Sequence, residues 1–162
     1  MSIEKVREYL KENNCSGSVM EFDQSSATVE LAAQAVGVIP ARISKTMSFD
    51  VKGRTVLILL AGDVKVDNGK FKQQFATKAK IISYDDVQGR TGHPVGGVCP
   101  FAIDYDNIDV YLDTSMKRFE TVFPAAGSPN SAVELTPDEL ERLSQSKGWI
   151  DVAKYAEEKT EE

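Results

Sequence analysis

One segment rich in glycine and proline constrains the fold of this chain more than any other feature. It runs from Gly92 to Ala102 (GHPVGGVCPFA) and contains the single histidine, His93. Glycine allows a positive φ and the close approach of another backbone, whereas proline fixes φ and lacks an N–H. The segment therefore predicts a loop of fixed shape. It either presents the N–H groups of residues 96–99 to a ligand or is a tight connection between two strands.

The size and composition of the chain predict one domain. With 162 residues and 41% hydrophobic content, it can bury a single core over residues 1–156, followed by a frayed acidic tail at 157–162. No apolar run approaches the ~20 residues of a membrane span, and residues 1–10 are too charged for a signal peptide. Cys15 and Cys99 lie far apart in sequence, which argues against a disulfide framework or a zinc site and favours a cytoplasmic location.

The charge is unevenly distributed along the sequence. The net charge is −6, yet residues 41–80 carry nine basic and three acidic side chains. Such a basic segment in an acidic protein indicates either a local phosphate-binding surface or lysines on solvated faces.

Short apolar segments alternate with helix signals, which predicts an α+β chain without repeats. Predicted helices span 3–12, 28–37, 67–75 and 136–147; predicted strands span 19–22, 43–51, 55–60, 80–83, 108–112, 119–125 and 131–135. Strands 43–51 and 55–60 form a predicted hairpin that turns at Lys52 and Gly53. Short strands interrupted by helices favour a largely antiparallel or mixed sheet.

Three motifs occur in one order along this chain: Ile43–Thr46 (ISKT), Gly96–Phe101 (GGVCPF), and Ala126–Ser128 (AGS) followed by VELTP at 133–137. Together they resemble the YbaK/EbsC family, which includes the editing domain of bacterial prolyl-tRNA synthetases. The similarity extends from about Val19 to Leu143. It implies a compact, strongly twisted, mainly antiparallel or mixed sheet of barrel-like form, flanked by helices.

The resemblance also implies an activity. Enzymes of this family are aminoacyl-tRNA deacylases, so we expect a free-standing trans-editing hydrolase that cleaves a small residue, alanine or cysteine, from tRNA-Pro. The choice of tRNA would come from its acceptor end or from a partner protein such as prolyl-tRNA synthetase. No metal ion and no organic cofactor is implied.

The resemblance assigns catalytic roles to two parts of the chain. The family lysine falls on Lys45, which would hold a terminal phosphate or orient the substrate. On local sequence alone, Lys45 is better explained as a strand lysine that extends to solvent. The family loop falls on Gly96, Gly97, Val98, Cys99 and Pro100, where the backbone N–H groups of residues 96–99 would hold the ester carbonyl.

Further substrate-binding candidates surround these residues. Gly127, Ser128 and Asn130 form either a second wall of the pocket or a plain turn. The remaining candidates are Thr46, His93, Phe101 and Asp113. His93 would contact substrate or cap the loop, and Asp113 would bond the loop or cap a helix at 114–119.

Two other functions are compatible with the sequence. The same pocket could bind a nucleotide end, an amino acid or a synthetase without hydrolysis. Alternatively, Cys99 could be a nucleophile with His93 as its base. The sequence offers no third orienting group for such a pair, which favours Cys99 as a small side chain that lines the pocket.

Overall fold

The computed structural model describes residues 2–155, and the predicted acidic tail lies outside the described residues. Within that range the helices are α1 (Ser2–Glu12), α2 (Val29–Val36), α3 (Asn68–Phe75), α4 (Val87–Thr91) and α5 (Pro137–Leu143). The strands are β1 (Val19–Glu21), β2 (Ile43–Val51), β3 (Arg54–Ala61), β4 (Val64–Val66), β5 (Ile108–Asp113), β6 (Phe123–Pro124), β7 (Ser131–Val133), β8 (Trp149–Ile150) and β9 (Ala153–Tyr155). None of these helices is long and apolar enough to cross a membrane.

Side-chain caps define where α2, α3 and α5 begin, at the starts that the predicted spans 28–37, 67–75 and 136–147 give. The Thr28 hydroxyl accepts a hydrogen bond from the Leu31 N–H at 3.1 Å, and Asp67 accepts one from the Lys70 N–H at 2.9 Å. Thr136 and Glu139 form a reciprocal capping box at the start of α5. These bonds satisfy N–H groups that the first turn of a helix leaves unpaired.

The central sheet is mixed and has the strand order β6-β2-β3-β5-β8. The β2–β3 pairing is antiparallel, while β2–β6, β3–β5 and β5–β8 are parallel. The predicted hairpin is confirmed, with Lys52 at φ 54° and Gly53 at φ 90°. Two successive positive φ values match the twist of a two-residue hairpin turn.

Strand β3 is buried on both faces, which explains its almost entirely apolar sequence. Leu57 and Leu59 pack with α1 and α5 through Val6, Leu10 and Leu140. Ile58 and Leu60 face the opposite core, which includes Phe49 and Phe71. A third, smaller cluster joins α2 to the beginning of β2 and to β6.

Several predicted elements are shorter than the sequence indicates, among them the strand at 131–135, which is reduced to β7. At 80–83 only Ile81 forms a β-bridge, to Phe49 of β2, because the chain turns into a 3-10 helix at Tyr84–Asp86. The strand expected over 119–125 is reduced to β6, since Pro124 has no N–H with which to extend the ladder. Helix α5 ends at Leu143 rather than 147, where Gln145 adopts a positive φ of 51°.

Candidate active site

A cavity of about 420 Å³ lies beside the open edge of strand β2. Four parts of the chain surround it: the start of α2, the strand β2, the segment 81–87 and the glycine-proline loop. Residues from β6, β7 and the turn between them complete it. Its lining includes Ala27, Thr28, Lys45, Thr46, Ile81, Tyr84, Val95, Gly96 and Val98.

The cavity occupies a gap in the pairing of β2. On this edge, β6 pairs only with Ile43 and Ser44, and the next hydrogen bonds join Ser48 O to the Ile82 N–H and the Asp50 N–H to Lys80 O. Main-chain groups of alternate residues point to the same strand edge. The N–H and C=O of Thr46 therefore face the gap.

Thr46 also brings an unpaired hydroxyl to this site. Its Oγ1 is the one buried side-chain nitrogen or oxygen among residues 2–155 that has no hydrogen-bond partner. Leaving such a group unpaired costs about 1–3 kcal/mol, which makes Thr46 a candidate ligand contact among the lining residues.

Lys45, the neighbouring cavity residue, is partly buried. Its Nζ donates a hydrogen bond to the backbone carbonyl of Val64. Burial lowers the pKa of Lys45, an effect that the carboxylate of Asp63 opposes. Lys45 is the only cationic residue in the described lining, which contains no Asp, Glu or His.

The glycine-proline loop contributes two residues to the cavity, Gly96 and Val98. Gly96 has a φ of +87°, which glycine adopts without strain. The Gly97 N–H closes a turn onto the Pro94 carbonyl at 2.9 Å, so this predicted donor is occupied. The N–H groups of Gly96 and Val98 have no protein acceptor among residues 2–155.

Gly97 lies against the loop that follows β6. A Cβ atom on Gly97 would lie 2.6 Å from the Ser128 nitrogen and 2.7 Å from its Cα. Here glycine is required by the close approach of two backbones.

The loop at 127–130 packs against the glycine-proline loop at Gly97 and does not line the cavity. Gly127 packs on α1, where an added Cβ would lie 2.9 Å from Val6. The Ser128 hydroxyl bonds the Asn130 side chain at 2.8 Å, and the Asn130 amide donates to the Phe22 carbonyl at 2.9 Å. The prediction that these three residues form a second wall of the pocket is therefore wrong, because their polar groups are hydrogen-bonded within the protein.

His93 is 1% exposed and lies in the core. Its Nε2 is 2.8 Å from the Phe101 carbonyl oxygen, which can only accept, so Nε2 carries the hydrogen and Nδ1 accepts from the Ser2 hydroxyl. Burial lowers the pKa of His93, which favours the neutral ring. The predicted substrate contact is thus replaced by a structural link between the loop and α1.

Cys99 is fully buried in the main core and does not line the cavity. Burial raises the pKa of its thiol to about 12. Its Sγ lies 3.5 Å from His93 Nε2, the nitrogen that donates to Phe101 and so cannot take a proton. This geometry argues against the thiol-dependent hydrolase and corrects the expectation of a pocket-lining cysteine.

We therefore expect a Cys99→Ser variant to retain most of the deacylase activity that the resemblance implies. Serine preserves the small volume and the main-chain geometry of the loop. Removing a true nucleophile costs on the order of 10⁶ in kcat in a well-studied hydrolase, so single-turnover hydrolysis of mischarged tRNA separates the two cases.

Cys99→Ala, which has no nucleophile, is the matched variant, and thermal unfolding of both reports any loss of packing. Inactivity in two folded variants would restore the thiol mechanism.

Three other candidates also lie behind the cavity. The Asp113 carboxylate is completely buried and caps the 3-10 helix Thr114–Arg118 through the Ser115 N–H at 2.9 Å. Its other oxygen accepts from the Val152 N–H at 2.8 Å, so the capping alternative is correct. Phe101 is a core residue, and the Pro100 carbonyl accepts a hydrogen bond from Tyr105 at 2.5 Å.

Several lining residues are not predicted from the sequence. Ala27 and Thr28 precede α2, Ile81 forms the bridge to β2, and Tyr84 follows that bridge. The Thr28 cap locates the start of a helix, but no local signal places that start beside Lys45. No group of three or more His, Cys, Asp or Glu side chains within residues 2–155 is arranged to hold a metal ion.

The family assignment agrees with this geometry. A family model described as an aminoacyl-tRNA editing domain matches residues 23–143. The chain belongs to this family, which confirms the resemblance inferred from the three motifs and supports a deacylase role.

Individual relatives extend the match over nearly the whole chain. The chain is 52% identical to the uncharacterized protein YwhH of Bacillus subtilis (strain 168) over 155 residues, covering 95% of this chain and 98% of that protein. It is 35% identical over 126 residues to a proline–tRNA ligase of Desulfovibrio desulfuricans, covering 77% of this chain but 21% of the ligase. A crystal structure of a proposed trans-editing enzyme for prolyl tRNA synthetase aligns with a TM-score of 0.85 at 27% identity, covering 94% of this chain and 97% of the other.

Proposed function

We propose that this protein is a trans-editing aminoacyl-tRNA deacylase that hydrolyses alanine or cysteine esters on tRNA-Pro. The observation that carries the proposal is one cavity that combines a partly buried lysine, two free loop N–H groups and an unpaired hydroxyl. The match to part of a proline–tRNA ligase supports the choice of tRNA. A synthetase pocket rejects a smaller amino acid by only ~1–3 kcal/mol, so a second, hydrolytic site supplies the remaining discrimination.

In this proposal the loop stabilises the developing oxyanion. An aminoacyl ester is already activated, so hydrolysis needs orientation, access for water and stabilisation of negative charge on the carbonyl oxygen. The N–H groups of Gly96 and Val98 are the donors for that oxygen. The turn from Pro94 to Gly97 fixes them before substrate binds.

Lys45 holds the substrate as a fixed positive charge. The terminal nucleotide of a tRNA carries a phosphate near the ester, and a partly buried ammonium group attracts it more strongly than an exposed one. The hydrogen bond to Val64 sets the direction of the side chain.

Thr46 provides acceptors for the amino group of the substrate. Its free hydroxyl and its carbonyl on the open strand edge can both receive N–H donors. Because the described lining contains no carboxylate, the acceptor would be a neutral oxygen, and among the buried side-chain oxygens of residues 2–155 the Thr46 hydroxyl is the one without a partner.

A Thr46→Val variant is expected to lose activity and gain stability. Loss of a hydrogen bond to a charged group costs about 1.5–3 kcal/mol, or roughly ten- to a hundredfold in rate. Removing the unpaired hydroxyl should raise the free energy of unfolding by about 1 kcal/mol. Single-turnover deacylation and urea unfolding measure the two effects.

Thr46→Ser is the matched control, because it keeps the hydroxyl and should keep most of the activity. Normal deacylation by Thr46→Val would remove this residue from the proposed site.

The proposed function is tested on a panel of purified mischarged tRNAs. We expect rapid release of alanine or cysteine from tRNA-Pro and slow release of proline. Tight binding of the tRNA end without hydrolysis would instead support the non-catalytic binding module.

A further inference from the structure

An exposed apolar patch surrounds the mouth of the cavity. Five large apolar side chains are exposed within residues 2–155, and three of them line this cavity: Ile81 at 61%, Tyr84 at 75% and Val95 at 39%. We call these three residues the rim patch. Contiguous exposed apolar residues beside a cavity mark an interaction site more often than isolated ones do.

The backbone beneath the rim patch is held in place. Ile81 bridges to Phe49 of β2, and the Asp86 N–H donates to the Ser83 carbonyl at 2.9 Å across the turn that presents Tyr84. Val95 lies inside the hydrogen-bonded turn that ends at Gly97. The patch is therefore preorganised, and a ligand would gain contact area with little loss of backbone entropy.

The chemistry of the proposed substrate identifies an occupant. The ester is carried by the terminal ribose, and the terminal base is attached to the same sugar. With the ester carbonyl held by the loop and the terminal phosphate by Lys45, the base lies one sugar ring from the ester, within reach of the other residues that line the cavity. Single-stranded nucleic acids are commonly bound by stacking of their bases on exposed aromatic rings.

Neighbouring charges favour a base over a phosphate at this position. Tyr84 is followed directly by Asp85 and Asp86, which repel the phosphate backbone but not a neutral base. The apolar neighbours Ile81 and Val95 likewise suit a flat aromatic ring.

We propose that the rim patch is a stacking platform for the 3′-terminal nucleobase of the tRNA substrate, with Tyr84 as its main contact. This inference rests on the proposed deacylase function and adds a base-binding subsite to it. The platform helps to place the ester in the cavity without taking part in bond cleavage.

The first test compares Tyr84→Ala with Tyr84→Phe in single-turnover deacylation of mischarged tRNA. We expect Tyr84→Ala to raise the half-saturating concentration of tRNA roughly ten- to a hundredfold, which corresponds to the loss of one base stack. Tyr84→Phe should stay close to wild type, since stacking needs the ring and not the hydroxyl. Ile39→Ala is the control, because Ile39 is 59% exposed but does not line the cavity.

The second test does not require hydrolysis. Binding is measured for two short RNAs, one ending in an unpaired adenosine and one identical but abasic at its 3′ end. We expect wild type to prefer the RNA with the base, and Tyr84→Ala to lose this preference.

The two tests separate the proposals. Lack of hydrolysis by wild type, together with a base preference that depends on Tyr84, would reject the deacylase but keep the platform. Equal binding of both RNAs by wild type would reject the platform. The platform would also be rejected if Tyr84→Phe were as defective as Tyr84→Ala. It would be rejected too if the Tyr84→Ala defect were seen only when a proline–tRNA ligase is added.

Discussion

Replacing Gly97 by valine is expected to abolish nearly all deacylase activity. The new Cβ would lie 2.6–2.8 Å from the nitrogen, Cα and carbonyl carbon of Ser128, and backbone atoms cannot rotate away as a flexible side chain can. The loop must therefore shift, which displaces the N–H groups of Gly96 and Val98 from the carbonyl that they are proposed to hold. Loss of one such donor typically costs about 10²–10³ in kcat.

This result is measured by single-turnover hydrolysis together with circular dichroism and thermal unfolding. Gly89→Val is the matched control, because an added Cβ there has no heavy atom within 4 Å. A folded Gly97→Val protein with the wild-type rate would show that the loop backbone is not part of the reaction.

Lys45→Ala is expected to reduce deacylation by at least on the order of 10², because loss of a positioning contact misplaces the reacting ester. The fold should survive. The variant loses one hydrogen bond to Val64, worth about 1.5–3 kcal/mol because the donor is charged, and also removes a cation whose burial is unfavourable. Lys72→Ala, on the exposed surface of α3, is the control.

The pH dependence of the wild-type rate tests the charge itself. Burial lowers the pKa of Lys45 from its usual value of 10.5, and only the protonated form attracts a phosphate. After correction for spontaneous ester hydrolysis, the rate should fall as the pH rises through that lowered pKa. A Lys45→Ala rate equal to wild type, with no such fall, would place Lys45 outside the site.

The local signals in the sequence predict the longer elements well and their ends less well, and they miss the short elements α4, β4, β8 and β9. The caps at Thr28 and Thr136 and the turn at Lys52 depend on neighbours within a few residues, so a single sequence reveals them. The bridge at Ile81 depends on β2, about thirty residues earlier, and no local pattern shows that it stops after one pair.

In the candidate site, too, some residues are predicted from the sequence and others are placed only by distant contacts. Lys45, Thr46, Gly96 and Val98 are predicted by motif and do line the cavity. His93, by contrast, is compatible with either position, because a histidine can contact a ligand or form hydrogen bonds within the core. Only the packing of α1 against the loop, through Ser2, decides between these positions.

The unpaired stretch of β2 also bears on self-association. An exposed strand edge is a template to which another chain can add a strand, and this can lead to aggregation. Here β6 covers the edge up to Ser44, and the backbone of residues 80–82 covers it again from Ser48. The opening is therefore too short for a second strand to pair along it, yet wide enough to expose the backbone of Thr46 to a small molecule.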